Sequence, residues 1–330
     1  MRRTGKKKSA GGERGREEYT VAIVGAGSLA AALAPALHEA GYAIPEIVAR
    51  AGASGETKRR ARTLARKVGA KAVSIEDGVL DASVLWLCVP DREIRSAALT
   101  IAHVFNSRRE TKESRGLEKH GIRSTRRFAF HSSGALLSDE LGALHAEGFA
   151  VASVHPLMTF VAGARPRLVG VPFAIEGDAA ATGLARRIVS DLGGEVFALP
   201  AKRKRAYHAW ATMTSPLLVA YLIALEEAAR GAGLTPQQAR RMSFPIIRQT
   251  LANYERRGRE RSFSGPLIRG DVETVAKHLA LLRGHAMTHN VYVALAKVAL
   301  AKLPAKNRGK LQRLMNAQSR NAGDKLLPLV

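Results

Sequence analysis

The stretch Tyr19-Thr-Val-Ala-Ile-Val-Gly25-Ala-Gly27-Ser28-Leu29-Ala30 runs an apolar, β-prone segment straight into a glycine-rich turn that opens a helix. This order reads as a dinucleotide site. Gly25 permits the tight strand-to-helix turn, Gly27 lets the backbone approach a pyrophosphate, and Ala30 stands where a third small residue packs helix on strand. The first helical residues, Ser28, Leu29 and Ala30, supply amides and the positive end of the helix dipole to the phosphates.

The flanking sequence completes one βαβ unit. Leu29 to Glu39 has helical character, Gly41 suits a helix stop, and Glu46-Ile-Val-Ala-Arg50 reads as a second buried strand. Pro35 lies inside that helix and removes a backbone donor, which predicts a kink or a shortened first turn. The end of the second strand selects the nucleotide. An NAD-type site carries Asp or Glu about 20 residues beyond the glycines, whereas this chain has Arg50, then Ser54 and Lys58-Arg59-Arg60. Arg50 can stack on adenine and pair with a 2′-phosphate, with Ser54 and Lys58 or Arg59 adding donors, so the expected cofactor is NADP(H). The run from Lys58 to Arg66 also fits a solvated basic helix face.

The chain has 330 residues, 46% of them hydrophobic, enough for a large core divided between two domains. Cys88 is the only cysteine, so an intrachain disulfide is excluded, and its place in the apolar run Ser83 to Pro90 predicts a buried thiol. A reducing, cytoplasmic setting fits. Basic Met1 to Lys8 ahead of an apolar run has the look of a secretory signal, but Glu13, Glu17 and Glu18 interrupt the approach and the glycine spacing has its own explanation. No other segment is expected to span a bilayer.

The net charge is +24. Residues 1–18 hold seven basic and three acidic groups, and residues 106–127 hold eight and three. Both segments lack apolar periodicity and read as a disordered basic tail and an inserted basic loop. The remaining charge is spread over the body, including Lys202 to Arg205, Arg256 to Arg261 and Lys302 to Arg313. Such a field attracts phosphorylated cofactors and acidic substrates, and nucleic acid nonspecifically; the interleaved aromatics that stack single-stranded bases are missing.

Farther along, Glu56 to Val68 is expected as helix, Ala72 to Ile75 as a third strand and Asp81 to Val89 as a fourth. Val89, Pro90 and Asp91 then stand where a fourth strand meets the nicotinamide ribose. Arg92 to Phe105 continues as helix. A fifth strand, Arg127 to Phe130, ends in His131-Ser132-Ser133-Gly134, and a sixth, Ala150 to Val154, ends in His155-Pro156. Phe173 to Ile175, the helix Ala179 to Leu192 and Glu195 to Phe197 form a strand–helix–strand extension. From about residue 201 only helices are expected: one from Tyr207-His208-Ala-Trp210, then Leu217 to Ala232, Thr235 to Gly258 and Val272 to Leu303. The fold class is therefore α/β, a doubly wound parallel sheet over 19–200 followed by an all-α domain over 201–330.

This order resembles the 6-phosphogluconate-dehydrogenase-like superfamily, in which an NADP-binding Rossmann domain precedes a helical domain that often dimerises. The motifs His131-Ser-Ser-Gly-Ala135, Ser153-Val-His155-Pro-Leu157-Met-Thr-Phe160 and Gly265-Pro266-Leu-Ile-Arg269-Gly-Asp271 with His278 look like Rossmann-like proteins carrying a DUF2520 helical domain. The resemblance covers roughly residues 19–303 and implies a homodimer formed through the helical domain. At Thr214-Ser215-Pro216, members of that group commonly carry Ser-Asn, and the segment here more resembles the Ser-Gly-Pro of pyrroline-5-carboxylate reductases. Prephenate dehydrogenases place a serine after strand five and a histidine after strand six, which looks like Ser132/Ser133 and His155-Pro156. That resemblance implies that Ser133 orients the reacting oxygen or nitrogen and that His155 exchanges its proton.

Hydride transfer leaves or consumes a proton at a heteroatom, so the site needs a donor–acceptor with a suitable pKa and a fixed hydrogen bond. Of ten histidines, His131 and His155 stand at strand ends and His208 opens the second domain; each can instead be a structural, hydrogen-bonded histidine. Ser132, Gly134 and His131 line the expected substrate side. Lys202 to Arg205 either closes over an anionic substrate or forms an exposed linker. Arg269 can reach a carboxylate, and Asp271 can cap the next helix. No metal site and no Gly-x-Ser-x-Gly elbow is expected. The function expected is an NADP(H)-dependent oxidoreductase that reduces a C=O or C=N bond of a small anionic substrate, with no membrane and no specific nucleic-acid partner. The alternative is an NADP(H)-sensing or scaffold protein that turns nothing over.

Overall fold

A computed structural model of the chain describes residues 19–50, 52–114 and 126–323. The basic tail 1–18 and residues 115–125 of the basic insertion lie outside them. The chain divides into two compact units, Met1–Ala211 and Thr212–Val330.

The first unit is built on one eight-stranded sheet. Its strands are β1 Val21–Val24, β2 Glu46–Ala49, β3 Lys71–Ser74, β4 Val84–Leu87, β5 Phe128–His131, β6 Ala150–Pro156, β7 Pro172–Gly177 and β8 Glu195–Ala198. They lie side by side in the order β3-β2-β1-β4-β5-β6-β7-β8. The helices are α1 Ser28–Glu39, α2 Gly55–Lys67, α3 Asp91–Ser114, α4 Gly142–Ala146, α5 Ala179–Asp191 and α6 Lys204–Thr214, the last of which runs into the second unit. The chain reverses its winding between β1 and β4, so a crevice opens beyond their carboxyl ends.

Alternate residues feed two cores, as the period of two along a strand requires. Val21 and Ile23 face the layer that holds Leu33, Leu37 and Ile188, while Ala22 and Val24 face Ile94, Ala98 and Ile101 of α3. Helix α5 shows why it docks: Ala181, Leu184, Ala185, Ile188 and Val189 recur at helical spacing and are all buried. Pro35 does not end α1, which runs from Ser28 to Glu39. Buried Leu33, Ala34 and Leu37 hold that turn against the sheet despite the missing donor.

The sheet is parallel as expected except at one pairing: β6 and β7 run antiparallel, with Val154 opposite Ile175. The connection between them has no helix, so the chain turns back instead of crossing over. The insertion expected as a loop over 106–127 is helical in its first part, since α3 continues to Ser114.

The second unit contains α7 Pro216–Arg230, α8 Pro236–Arg261, α9 Pro266–Arg269, α10 Val272–Leu282, α11 Ala286–Lys302 and α12 Arg308–Gly323. Thr235 and Gln238 close a reciprocal capping box at the start of α8, and Gly258 breaks its helical dihedrals with φ 71°. The single helix expected over Val272–Leu303 is two, α10 and α11, separated at Arg283-Gly284-His285. Its core is small: Val275, Leu279, Val293, Leu300, Leu311 and Met315 from α10, α11 and α12. Helix α7 contributes no buried residue.

By length and composition Ala201–Arg230 reaches what a bilayer crossing needs, contrary to the expectation that no segment would. It is not one continuous apolar rod. Pro216 starts a new helix, and Lys204 and Tyr207 in its first half are buried in the sheet unit.

Candidate active site

Gly25 and Gly27 play different parts. Gly25 has φ 110°, and a Cβ there would lie 2.5 Å from the Cys88 carbonyl oxygen, so only glycine lets the end of β1 lie against the end of β4. Gly27 has an ordinary extended backbone as N-cap of α1, and the nearest atom to a Cβ there is the same oxygen at 4.0 Å. Protein packing does not demand that glycine; open space beside a helix N-terminus is what a pyrophosphate needs. No side chain caps α1, and its first turn carries no acid. Ala30 is buried, with Ser28 and Leu29 half-buried beside the turn. These residues fit the phosphates of a dinucleotide.

A cleft of about 250 Å³ runs beside the turn, lined by Gly25, Gly27, Arg50, Arg60, Val89 and Pro90 among others. Arg50 stands half-exposed at its edge and donates to Glu93 at 2.8 Å. Ser54 is used locally: it caps α2 and accepts from the Thr57 amide at 3.3 Å. Of the basic run, Arg60 rather than Lys58 lines this cleft, while Arg59 lines a neighbouring one with Ser28. Cys88 is buried, as its strand context predicts, and burial pushes its thiol far up.

The ends of β5 and β6 bring the remaining polar residues together. His131 is fully buried and both ring nitrogens are engaged, Nδ1 accepting from the Ser133 amide at 3.1 Å and Nε2 donating to the Leu137 carbonyl at 2.9 Å. It shapes the turn and presents neither nitrogen to a substrate. Burial, then the Lys204 charge, holds it down at about 4. Ser133 is likewise spent: its hydroxyl donates to Asp91 at 2.8 Å and accepts from the amides of Ala135 and Leu136 at 3.1 and 2.9 Å. One proton and two lone pairs are all a hydroxyl has. Asp91 thus ties the start of α3 to the β5 turn, and Ser132 accepts from the Trp86 indole at 2.9 Å.

His155 behaves differently. Nδ1 lies 2.7 Å from the Tyr207 hydroxyl, and among the described residues Nε2 makes no hydrogen bond. A Cβ on Gly134 would sit 2.8 Å from that Nε2 and 2.9 Å from Cδ2 of His208, so the bare glycine is what lets these two imidazoles gather at the β5 turn. Burial, followed by the charges of Lys204 and His208, depresses His155 to about 4.

The residues that sequence reasoning missed are those that set this geometry. Lys204 has 2% of its side chain exposed, donating to Ser153 of β6 and, at 3.0 Å, to Glu176 of β7. Glu176 also accepts from the Ser138 amide and hydroxyl at 2.8 and 2.9 Å. This pair pins α6 to the sheet, and Tyr207 follows one turn later, over His155. The first compact unit accordingly includes most of α6, to Ala211. The basic run Lys202 to Arg205 is therefore neither wholly linker nor lid: Lys204 is paired and buried, with Lys202, Arg203 and Arg205 exposed. One legible signal existed, a lone Glu176 at the end of the apolar strand Phe173-Ala-Ile175.

In the second unit, Asp271 caps α10, accepting from the Thr274 amide at 3.0 Å. Arg269 is exposed at the end of α9, and His278 Nδ1 lies 3.1 Å from the Tyr292 hydroxyl.

Comparison with known proteins agrees with this architecture. Residues 20–108 match the family described as NADP oxidoreductase, coenzyme F420-dependent. Residues 171–299 match the domain of unknown function DUF2520. No curated protein matches the chain. Among solved structures, a Bacteroides fragilis protein provisionally described as an NADP oxidoreductase shares 19% identity at a TM-score of 0.65, over 85% of this chain and 97% of that one. An imine reductase from Myxococcus stipitatus in complex with NADP+ shares 16% at 0.56, over 86% and 94%. A pyrroline-5-carboxylate reductase from Coxiella burnetii shares 14% at 0.53, over 84% and 97%. At such identities the likeness is one of fold.

Proposed function

We propose that this chain, which matches the NADP oxidoreductase family over residues 20–108 and the DUF2520 domain over residues 171–299, uses NADPH to reduce a C=O or C=N bond of a small anionic substrate. The observation that carries this reading is His155: its Nε2 has no protein partner among the described residues and stands at the same sheet edge as the glycine turn. When bound, the nicotinamide supplies the hydride. The amides of Ser28, Leu29 and Ala30 and the bare backbone of Gly27 would hold the pyrophosphate. Arg50, exchanging Glu93 for a 2′-phosphate, and Arg60 favour NADPH over NADH. His155 hydrogen-bonds the reacting heteroatom and exchanges a proton with it, with His208 beside it. Val89 and Pro90 would border the nicotinamide end, and Ser132 and Gly134 the substrate side.

The exposed apolar face of the second unit supports a homodimer. Leu217, Val219 and Ile223 of α7 and Met242, Ile246 and Leu251 of α8 are all more than half exposed, and a face of this kind marks an association surface. A reduced, buried Cys88 is compatible with a cytoplasmic protein.

Titrating the protein with NADPH and NADH by cofactor fluorescence tests the first step, and absence of NADPH binding ends the reading. Turnover is then followed by NADPH absorbance across 2-oxo acids, cyclic imines and hydroxy acids. His155→Ala should leave cofactor binding intact and lower kcat by roughly 10²–10⁴-fold. The saturated Ser133 hydroxyl favours the rival reading, a protein that binds NADPH without turnover. Its signature is tight binding with no NADPH consumed by any member of the panel.

A further inference from the structure

We propose that the Tyr207 hydroxyl is the positioning group for His155: it donates to Nδ1, holds the neutral ring as the Nε2–H tautomer, and so aims one ring proton at the crevice. The inference deepens the reading of His155 as proton partner and rests on it for its functional meaning, although its test does not.

Tyr207 is 8% exposed. Its ring is wedged against Phe197 at 5.8 Å, Trp210 at 5.9 Å and, edge-on at 83°, His155 at 5.6 Å. A buried hydroxyl needs an acceptor for its proton. Among the described residues the only one within hydrogen-bond reach is Nδ1 of His155, at 2.7 Å. If Nδ1 carried the ring proton, the phenol would have to accept, and its own hydrogen would be left with no acceptor. The phenol therefore donates, and the single N–H of a neutral imidazole falls on Nε2. Both groups are neutral at working pH, because burial raises the phenol to about 12 and holds His155 at about 4. The charged and titratable groups acting on the ring are Lys204, His208, Asp91 and His131.

The arrangement answers a chemical difficulty, since a neutral imidazole is a poor acid by itself. A proton that leaves Nε2 for the substrate heteroatom leaves its bonding pair on that nitrogen. Nδ1 takes the Tyr207 proton, and the phenolate oxygen keeps that bonding pair until water restores the proton. The pair that forms the new C–H bond comes from the reduced nicotinamide. Net consumption is one hydride equivalent and one solvent proton.

The test is nitrogen-15 NMR of the full chain labelled in histidine, with no cofactor added and at neutral pH, His155 being assigned by loss of its signals in His155→Gln. The expected spectrum has a pyrrole-type Nε2 bearing the proton and a pyridine-type Nδ1. Tyr207→Phe keeps the ring packing and removes the hydroxyl, so the two nitrogen shifts should converge as the tautomers mix. A wild-type His155 protonated on Nδ1, or already averaged, overturns the proposal, and so does a pattern unmoved by Tyr207→Phe. If Tyr207→Phe does not fold, the wild-type spectrum decides alone. Failure to bind NADPH would remove the proposed function without changing these spectra, so the two can fail separately.

Discussion

Replacing Lys204 by Met strands a buried carboxylate. The ammonium is 2% exposed and donates to Ser153 and Glu176; once it is gone, Glu176, 11% exposed, keeps only the Ser138 amide and hydroxyl. Breaking a buried pair from one side costs about 3–5 kcal/mol. In a unit of this size each kcal/mol moves the melting temperature by about 2–4 °C, so the sheet unit should melt roughly 6–20 °C lower. Burial outweighs Glu176 and lowers the Lys204 pKa. The native state therefore sheds this proton before the unfolded chain does, and wild-type stability rises with pH as the ordinary lysine range is approached. That rise should vanish in Lys204→Met. The double variant Lys204→Met/Glu176→Gln should recover most of the loss, because the amide oxygen can still accept from Ser138 without a charge to compensate. Calorimetry and denaturant titration of these three proteins and of Glu176→Gln complete the cycle. A single variant within about 1 kcal/mol of wild type, or a double variant no better than the single, would refute the account of a stranded charge.

The two glycines of the turn should separate by the same measurements: Gly25→Ala lowers stability by about 1–3 kcal/mol or more from backbone strain and its clash with Cys88, whereas Gly27→Ala leaves the melting temperature unchanged and weakens NADPH binding. Normal NADPH affinity in Gly27→Ala would contradict the phosphate assignment. His131 and His155, both held at about 4 against an ordinary 6.5, take up protons in the unfolded chain first. Their contribution to stability should be constant above pH 6.5 and be lost between 6.5 and 4, by up to about 3 kcal/mol for each; pH-dependent melting with no loss in that window would count against their burial as neutral rings. Sedimentation should show a dimer that Leu217→Glu/Ile223→Glu converts to monomer, and a wild-type monomer would remove the association proposed for α7 and α8.

Much of the fold was legible because its signals are local. The strand run before Gly25, the spacing of Ala181 to Val189 and the cap at Asp271 each depend on residues within a few turns of one another. Gly284 was a local signal too, but helical periodicity on both sides masked the break it marks. The reversal of β7 was not legible, since strand composition is the same in either direction and only the connecting path decides it.

The sequence by itself determined the glycine turn, the arginine at the end of β2, the order of strands and helices, and the placement of His155 at a strand end. Tertiary structure decided what those polar residues can still do. His131 and Ser133 look as available as His155 in the sequence, yet their hydrogen-bonding capacity is consumed by the turn they sit in. Lys204 looks like its exposed neighbours, yet it is buried against a carboxylate from β7. The physical reason is that a polar group's chemistry depends on which of its protons and lone pairs remain unpaired and how much water it has lost. For His131 the partners lie within six residues, but those of the Ser133 proton, Lys204 and His155 lie 42 to 52 residues away and meet only when the sheet closes.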